Sequence, residues 1–260
     1  MIEQSQIILL TIASLITILL PIIVAIGWIV RTKSYVYPLF IGAVIFLVFA
    51  LVLESGLHSI IFNVLPFIFN NPILYIIYGC LAAAIFEEGG RYLAFKYIMK
   101  NVHDKKNAVT YGIGHGGFEM ITVVGMTLLS TLMFAFTLNS LGVEGMLDGV
   151  NDIQILQMVN DMIASIDAYT VKDVLLSIIE RISALILHVS CSVFVFKAVQ
   201  HKDIICFWKA FGFHILMNLP AALYQKQIVS NLIFVEIMIV LISIAIAIVA
   251  FKTYKKMDRE

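Results

Sequence analysis

The sequence contains little charge. Aspartate, glutamate, lysine and arginine make up 13% of its 260 residues, whereas soluble domains contain roughly 25%. Hydrophobic residues account for 61%, and the mean hydropathy is +1.00. These values exclude a soluble globular domain and predict an all-α, polytopic membrane protein.

Cysteine is also scarce. Cys80, Cys191 and Cys206 each lie within an apolar stretch, and no CxxC spacing occurs. Disulfide scaffolds and thiolate metal sites need paired or regularly spaced cysteines. The pattern therefore favours buried thiols, which behave as small apolar groups.

Nothing in the sequence supports nucleotide or nucleic-acid binding. Gly112, Gly114 and Gly117 match the letters GxGxxG, but the dinucleotide-binding motif requires a preceding strand, and none is predicted here. The basic residues lie in short loops beside apolar stretches, where they suit the anionic headgroups of a lipid bilayer. We expect no nucleic-acid partner.

Apolar stretches long enough to cross a bilayer recur along the whole chain. A spanning helix needs about 20 such residues, and seven stretches reach that length. We call them the first to seventh spans: 7–30, 35–56, 72–97, 108–138, 174–196, 204–224 and 230–251. No soluble module or linker separates them, so residues 1–260 are predicted to form a single transmembrane domain.

The distribution of charge predicts the orientation of the chain. Basic residues, which favour the cytoplasmic side, are concentrated in alternate loops: Arg31, Lys33, Lys96, Lys100, Lys105, Lys106, Lys197, Lys202, Lys209, Lys252, Lys255, Lys256 and Arg259. The loop 139–173 is instead rich in acidic residues. We therefore expect an outside N-terminus and a cytoplasmic C-terminus, in the plasma membrane of a bacterium.

The outer loop 139–173 has two open interpretations. Apolar residues between Ile153 and Ile166 recur near helical spacing beside acidic positions, which is typical of an amphipathic helix lying on a membrane surface. A plain solvated loop fits the composition equally well.

Ionisable residues within the spans are the main functional signal, because a charge in a bilayer costs several kcal/mol and is retained for a reason. The third span contains Glu87, Glu88 and Arg91. Arg91 follows the two acids by four and three residues, so it shares a helical face with a carboxylate partner. One arginine neutralises one carboxylate well, which leaves a second acid for chemistry.

The next three spans add imidazoles, an acid and an amide. His115 and Glu119 lie one turn apart in the fourth span, His188 lies in the fifth, and His214 and Asn218 lie one turn apart in the sixth. At 1.5 Å per residue, all of these groups fall roughly 10 to 20 Å into the membrane. We expect them to share one layer with the glutamates.

Several other polar residues lie near the ends of spans. Glu54, His58, Glu180, Arg181 and Glu236 are interpreted as side chains that extend toward the headgroups. They are not predicted to belong to the functional layer.

Together these motifs resemble the YhfC family of predicted intramembrane proteases, which is similar to the CPBP and PrsW proteases. The residues that carry the resemblance are Glu87, Glu88 and Arg91 (EExxR), His115 and Glu119 (HGGFE), and His214 and Asn218 (HxxxN). The resemblance covers the third to sixth spans, about half of the chain. It implies a four-helix catalytic core with further helices around it.

The resemblance also implies roles. In the CPBP pattern a glutamate of the first motif activates water, a histidine of the second motif assists, and the last histidine and asparagine stabilise the oxyanion. Carried over, Glu87 is the base, and His214 and Asn218 are the donors. Glu119 stands where CPBP proteases more often have histidine, so Glu119, His115 or His188 could orient the water; we rank Glu119 first.

A zinc-dependent variant uses the same residues. Catalytic zinc sites typically combine three nitrogen or oxygen ligands with a water, and Glu87, Glu119, His188 and His214 could supply them. No HExxH motif is present, so we predict that a stoichiometric metal is unnecessary.

The predicted activity is cleavage of peptide bonds in a membrane-anchored peptide or protein. Membrane acids and histidines also build proton relays, so a proton-coupled transporter or channel is one alternative. An inactive binding or immunity protein, in which the polar layer merely holds the bundle together, is another. The sequence does not determine the oligomeric state.

Overall fold

The structure, a computed structural model, describes residues 1–149 and 152–258. Seven helices in these residues are long and apolar enough to cross a membrane, and no strand occurs among them. They run over Gln4–Thr32, Tyr37–Val64, Pro72–Ile98, Lys106–Met146, Val171–Gln200, Ile204–Gln225 and Leu232–Lys256. This confirms the prediction of an all-α, seven-span membrane protein.

The helices extend beyond the predicted spans at most ends. The largest differences are at the ends of the second span, predicted to end at residue 56 but continuing to Val64, and of the fourth, predicted to end at residue 138 but continuing to Met146 across a kink at Gly142. Three spans contain π-helical turns, at Leu47–Glu54, Ala94–Ile98 and Met120–Gly125. Hydropathy carries no signal for these local changes of winding.

The outer loop contains a helix over Ile153–Asp167. Asp152 caps its start, because the carboxylate accepts a hydrogen bond of 2.8 Å from the backbone N–H of Gln154. Of the two interpretations of this segment, the helix is therefore the one the structure shows. Val150 and Asn151 lie outside the described residues, as does Arg259, which was counted among the cytoplasmic basic residues.

The chain divides into two compact units. The smaller comprises Met1–Leu20 and Met120–Ile178. In it Asn139 pairs with the backbone of Ile2, through hydrogen bonds of 2.7 and 2.9 Å. Ile166 of the outer helix is buried in the apolar core of this unit, so that helix is not a free solvated segment.

The larger unit comprises Pro21–Glu119 and Ile179–Glu260 and contains all of the predicted site residues. Glycines allow its helices to approach closely. A Cβ added at Gly42 or Gly114 would overlap backbone of the facing helix, and a Cβ added at Gly116 would lie 2.9 Å from the Cβ of His188. The glycine-rich start of the fourth span thus packs against both the second and the fifth spans.

Candidate active site

The polar residues of the third to sixth spans meet in one buried cluster. Its members are Glu87, Glu88, Arg91, His115, Glu119, His188 and His214, and all are fully or nearly fully enclosed by the protein. Each of the four helices contributes at least one charged or imidazole group. All of the predicted site residues except Asn218 therefore belong to one network of contacts.

Glu88 is locked in an ion pair. Its Oε1 accepts a hydrogen bond from Nη1 of Arg91, one turn along the same helix, and both side chains are fully buried. The same oxygen lies 2.8 Å from Nδ1 of His214. Because a carboxylate only accepts hydrogen bonds, His214 must donate through Nδ1, so its Nε2 is directed elsewhere.

Glu87 has different surroundings, because three imidazoles converge on it. Its Oε2 lies 2.9 Å from Nε2 of His115 and 3.6 Å from Nδ1 of His188. Its Oε1 lies 3.5 Å from Nε2 of His214. No lysine or arginine pairs directly with this carboxylate within the described part of the chain. Three helices thus aim ring nitrogens at one buried acid of a fourth.

The hydrogen bonds of His188 determine its tautomer. Nη2 of Arg91 lies 3.0 Å from Nδ1, and a guanidinium can only donate. Nδ1 therefore carries a lone pair, and the proton lies on Nε2. That nitrogen is 2.6 Å from Oε2 of Glu119, which is consistent with donation to a carboxylate.

Glu119 also pairs with Arg181, which the sequence analysis interpreted as a side chain directed toward the headgroups. Its Oε1 lies 3.0 Å from Nη1 of Arg181, whose side chain is only 13% exposed. Arg181 is therefore buried against the site, and the interpretation of it as a headgroup-directed residue was wrong. Its position seven residues before His188, on the same face of the fifth span, was the signal that could have revealed it.

The remaining end-of-span residues are not members of the cluster, although Glu180 is connected to it through Arg181. Glu54 is buried and pairs with His58 at 3.3 Å. Glu180 binds Nη2 of Arg181 at 2.6 Å. Glu236 is buried rather than directed outward, and its Oε2 has no hydrogen-bond partner among the described residues.

Asn218 is the one predicted site residue that no hydrogen bond of the cluster reaches in the described structure. It lies one turn after His214 in the sixth span and is half-buried. The amide is thus adjacent to the cluster along the helix, but it is free of the buried ion-pair network.

The donor set around Glu87 fits a divalent metal. Ligand atoms of Glu87, His115 and His188 all lie within 4.8 Å of one another. In a tetrahedral zinc site, metal–ligand distances of about 2.0 to 2.2 Å put ligand atoms about 3.3 to 3.6 Å apart, close to the separations seen here. The Glu119 carboxylate on the far nitrogen of His188 matches the outer support that metal-bound histidines usually have.

This donor set differs from the one considered from sequence alone. The structure groups His115 with Glu87 and His188 as possible ligands. Glu119 contacts the nitrogen of His188 that faces away from Glu87. His214 faces the other oxygen of Glu87. A metal would replace two contacts, the hydrogen bond from Arg91 to Nδ1 of His188 and the one between Nε2 of His115 and Oε2 of Glu87.

Comparison with known proteins gives two matches. The family model described as YhfC intramembrane metalloprotease matches residues 16–239. The chain is 34% identical over 246 residues to a protein of Bacillus subtilis (strain 168) described as "Uncharacterized membrane protein YhfC", with 94% of each chain covered. No solved structure matches the chain.

Proposed function

The chain belongs to the YhfC intramembrane metalloprotease family, and from this membership and the buried cluster we propose that it is an intramembrane endopeptidase. Its substrate is a membrane-anchored peptide or protein. The observation that carries the proposal is the convergence of His115, His188 and His214 on Glu87. Hydrolysis of an amide needs a base for water, donors for the oxyanion and a proton donor for the leaving amine, and this cluster contains each kind of group.

Glu87, His115 and His188 would hold a divalent metal such as zinc. When bound, that ion would supply Lewis-acid polarisation of the scissile carbonyl and a more acidic water. Because three buried donors converge here, we infer that the enzyme is metal-dependent, contrary to the expectation from the sequence. Glu119 supports His188 from the side opposite the ion.

The protein's own groups carry the proton transfers. Oε1 of Glu87 faces away from His115 and takes the proton of the attacking water. Nε2 of His214 lies 3.5 Å from that oxygen and is placed to pass a proton to the leaving amine. Glu88 and Arg91 hold His214 and His188 in orientation, and Asn218 donates to the oxyanion.

A metal-free glutamate protease is the second candidate, and one observation favours it. Arg91 donates a hydrogen bond to Nδ1 of His188, the nitrogen that would otherwise coordinate an ion. In this case Glu87 alone activates the water, and the three imidazoles act as donors. The two candidates share their residues and differ in their need for an ion.

The test is cleavage of a single-pass substrate helix by purified protein in liposomes. Glu87→Gln removes the proton acceptor and should lower the rate by about 10²- to 10⁴-fold. Glu54→Gln is the matched control, because Glu54 is also a buried glutamate paired with a histidine but lies outside the cluster; it should leave the rate unchanged. Full activity of Glu87→Gln would refute both candidates.

A chelator separates the two candidates. Loss of cleavage that zinc restores supports the metal-dependent enzyme, and undiminished cleavage by metal-stripped protein supports the glutamate enzyme. Ion current or solute uptake without any cleavage would instead support the transporter. Capture of a partner without cleavage would support the binding protein.

The protein is a multi-pass membrane protein, and we infer that it lies in a bacterial plasma membrane with its N-terminus outside. The alternation of basic loops supports this orientation, and the relative from Bacillus subtilis supports the bacterial setting. A reporter that fluoresces only in the cytoplasm should be bright when fused to the C-terminus. A dark fusion of a stably inserted protein would reverse the orientation.

A further inference from the structure

Arg181 is connected to the centre of the cluster through two further side chains. Its Nη1 lies 3.0 Å from Oε1 of Glu119, and Oε2 of Glu119 lies 2.6 Å from Nε2 of His188. The other nitrogen of His188 faces Glu87 at 3.6 Å. A continuous set of contacts therefore runs from Arg181 to the acid that we propose takes the proton of water.

Burial makes the negative charge of Glu119 unfavourable unless the protein provides a compensating partner. A carboxylate removed from water needs a cation or several donors to offset its lost hydration. Glu119 has a 16% exposed side chain, and His188 supplies it with a neutral N–H. Arg181 is a cation in direct contact with Glu119, and its charge offsets that of the carboxylate beside His188.

We propose that Arg181 is a positioning residue of the site, which holds Glu119 against His188 and so, together with the hydrogen bond from Arg91 to Nδ1, keeps the proton of His188 on Nε2. Nδ1 then presents its lone pair toward Glu87. This inference rests on the proposed function, because only a lone pair on Nδ1 makes His188 a metal ligand or an acceptor within the site.

A purely structural ion pair would behave differently. It would contribute to the stability of the fold without controlling the ring of His188. Glu180 provides the matched comparison, since it binds the other terminal nitrogen of Arg181 at 2.6 Å but is 33% exposed and does not contact His188. Arg181→Gln breaks both ion pairs of the guanidinium, whereas Glu180→Gln breaks only the one that does not involve Glu119.

The first measurement is the nitrogen NMR spectrum of metal-free protein labelled at histidine, with the signals of His188 assigned by their loss in His188→Gln. In the unaltered protein and in Glu180→Gln, Nε2 should carry the proton and Nδ1 should not. In Arg181→Gln, the Nε2 signal of His188 should shift, because Glu119 is no longer held against that N–H, while Arg91 still donates to Nδ1. Unchanged His188 signals in Arg181→Gln would overturn the inference.

The second measurement is zinc affinity, determined by competition with a chromophoric chelator. Loss of outer support to a ligating histidine typically weakens metal binding by about 10- to 100-fold. We expect that loss in Arg181→Gln, partial recovery in Arg181→Lys, and no change in Glu180→Gln. Equal zinc affinity in all variants would contradict a positioning role.

A further variant, Glu119→Gln, tests the same contact in case Arg181→Gln does not fold. Glu119→Gln removes the carboxylate from the path while Arg181 keeps Glu180 as a partner, and it should also shift the Nε2 signal of His188. Unaltered signals in Glu119→Gln would also overturn the inference. If the unaltered protein neither binds zinc nor cleaves a substrate, the proposed function fails, whereas the spectrum of the metal-free protein still decides the role of Arg181.

Discussion

Two adjacent glutamates of the third span lie in opposite surroundings. Glu88 is fully buried, paired with Arg91 and bonded to Nδ1 of His214. Glu87 faces three imidazole nitrogens and has no direct lysine or arginine partner in the described residues. The first arrangement neutralises a buried charge with a cation on the same helix, and the second leaves a carboxylate whose neighbours can accept, donate or bind an ion. This difference supports our proposal that Glu88 holds the site together and that Glu87 performs the chemistry.

Of the variants that test this difference between the glutamates, Arg91→Gln should have the largest effect, which is on stability. Removing one partner of a buried ion pair leaves a charge uncompensated and typically costs about 3 to 5 kcal/mol. We expect a clear fall in the thermal unfolding midpoint in detergent, whereas Glu87→Gln should abolish cleavage with little effect on that midpoint. Equal destabilisation by the two variants would remove the distinction between the glutamates.

The double variant Glu88→Gln with Arg91→Gln tests whether the two side chains stabilise the protein as a pair. Because both charges are removed together, the double variant should lose less stability than the sum of the two single variants. Simple additivity would show that the two side chains do not act as a pair.

A smaller effect is expected at Asn218, which we propose as the oxyanion donor. Loss of one oxyanion donor typically lowers kcat by about 10²- to 10³-fold. Because the cluster's hydrogen bonds do not include this amide in the described structure, Asn218→Ala should leave stability and zinc affinity unchanged. An unaltered kcat would remove Asn218 from the proposed mechanism.

The smallest effect is expected from a single added methyl group. Gly116→Ala places a Cβ 2.9 Å from the Cβ of His188, and overpacking of this kind costs about 1 to 3 kcal/mol. It should displace His188 from Glu87 and reduce cleavage. Gly79→Ala is the control, because nothing lies within 4 Å of the added atom; equal losses in the two variants would show that His188 need not be held closely.

The sequence predicted much of the fold, because spanning helices depend on properties that are local to the chain. Length and apolar character were sufficient to find all seven spans. The π-helical turn at Met120–Gly125 and the extension of the fourth span to Met146 were not predicted, since they depend on packing between helices. The outer helix was recognised only as one of two possibilities.

The residues that form the site were easier to predict than the contacts between them. Depth along each helix placed Glu87, His115, His188 and His214 in one layer, but sequence does not state how each helix is rotated about its axis. His115 and Glu119 share a helical face, yet they contact different partners, Glu87 and His188 respectively. Arg181 was missed for the same reason, because its burial depends on the facing fourth span.

X-ray absorption at the zinc edge of purified protein tests the central claim most directly. The account predicts one zinc per chain, coordinated by two imidazoles and oxygen ligands, with one imidazole lost in His115→Gln and zinc binding abolished in Glu87→Gln. A zinc bound through sulfur, or a coordination sphere unchanged by both substitutions, would contradict the assignment of Glu87, His115 and His188 as the metal-binding centre.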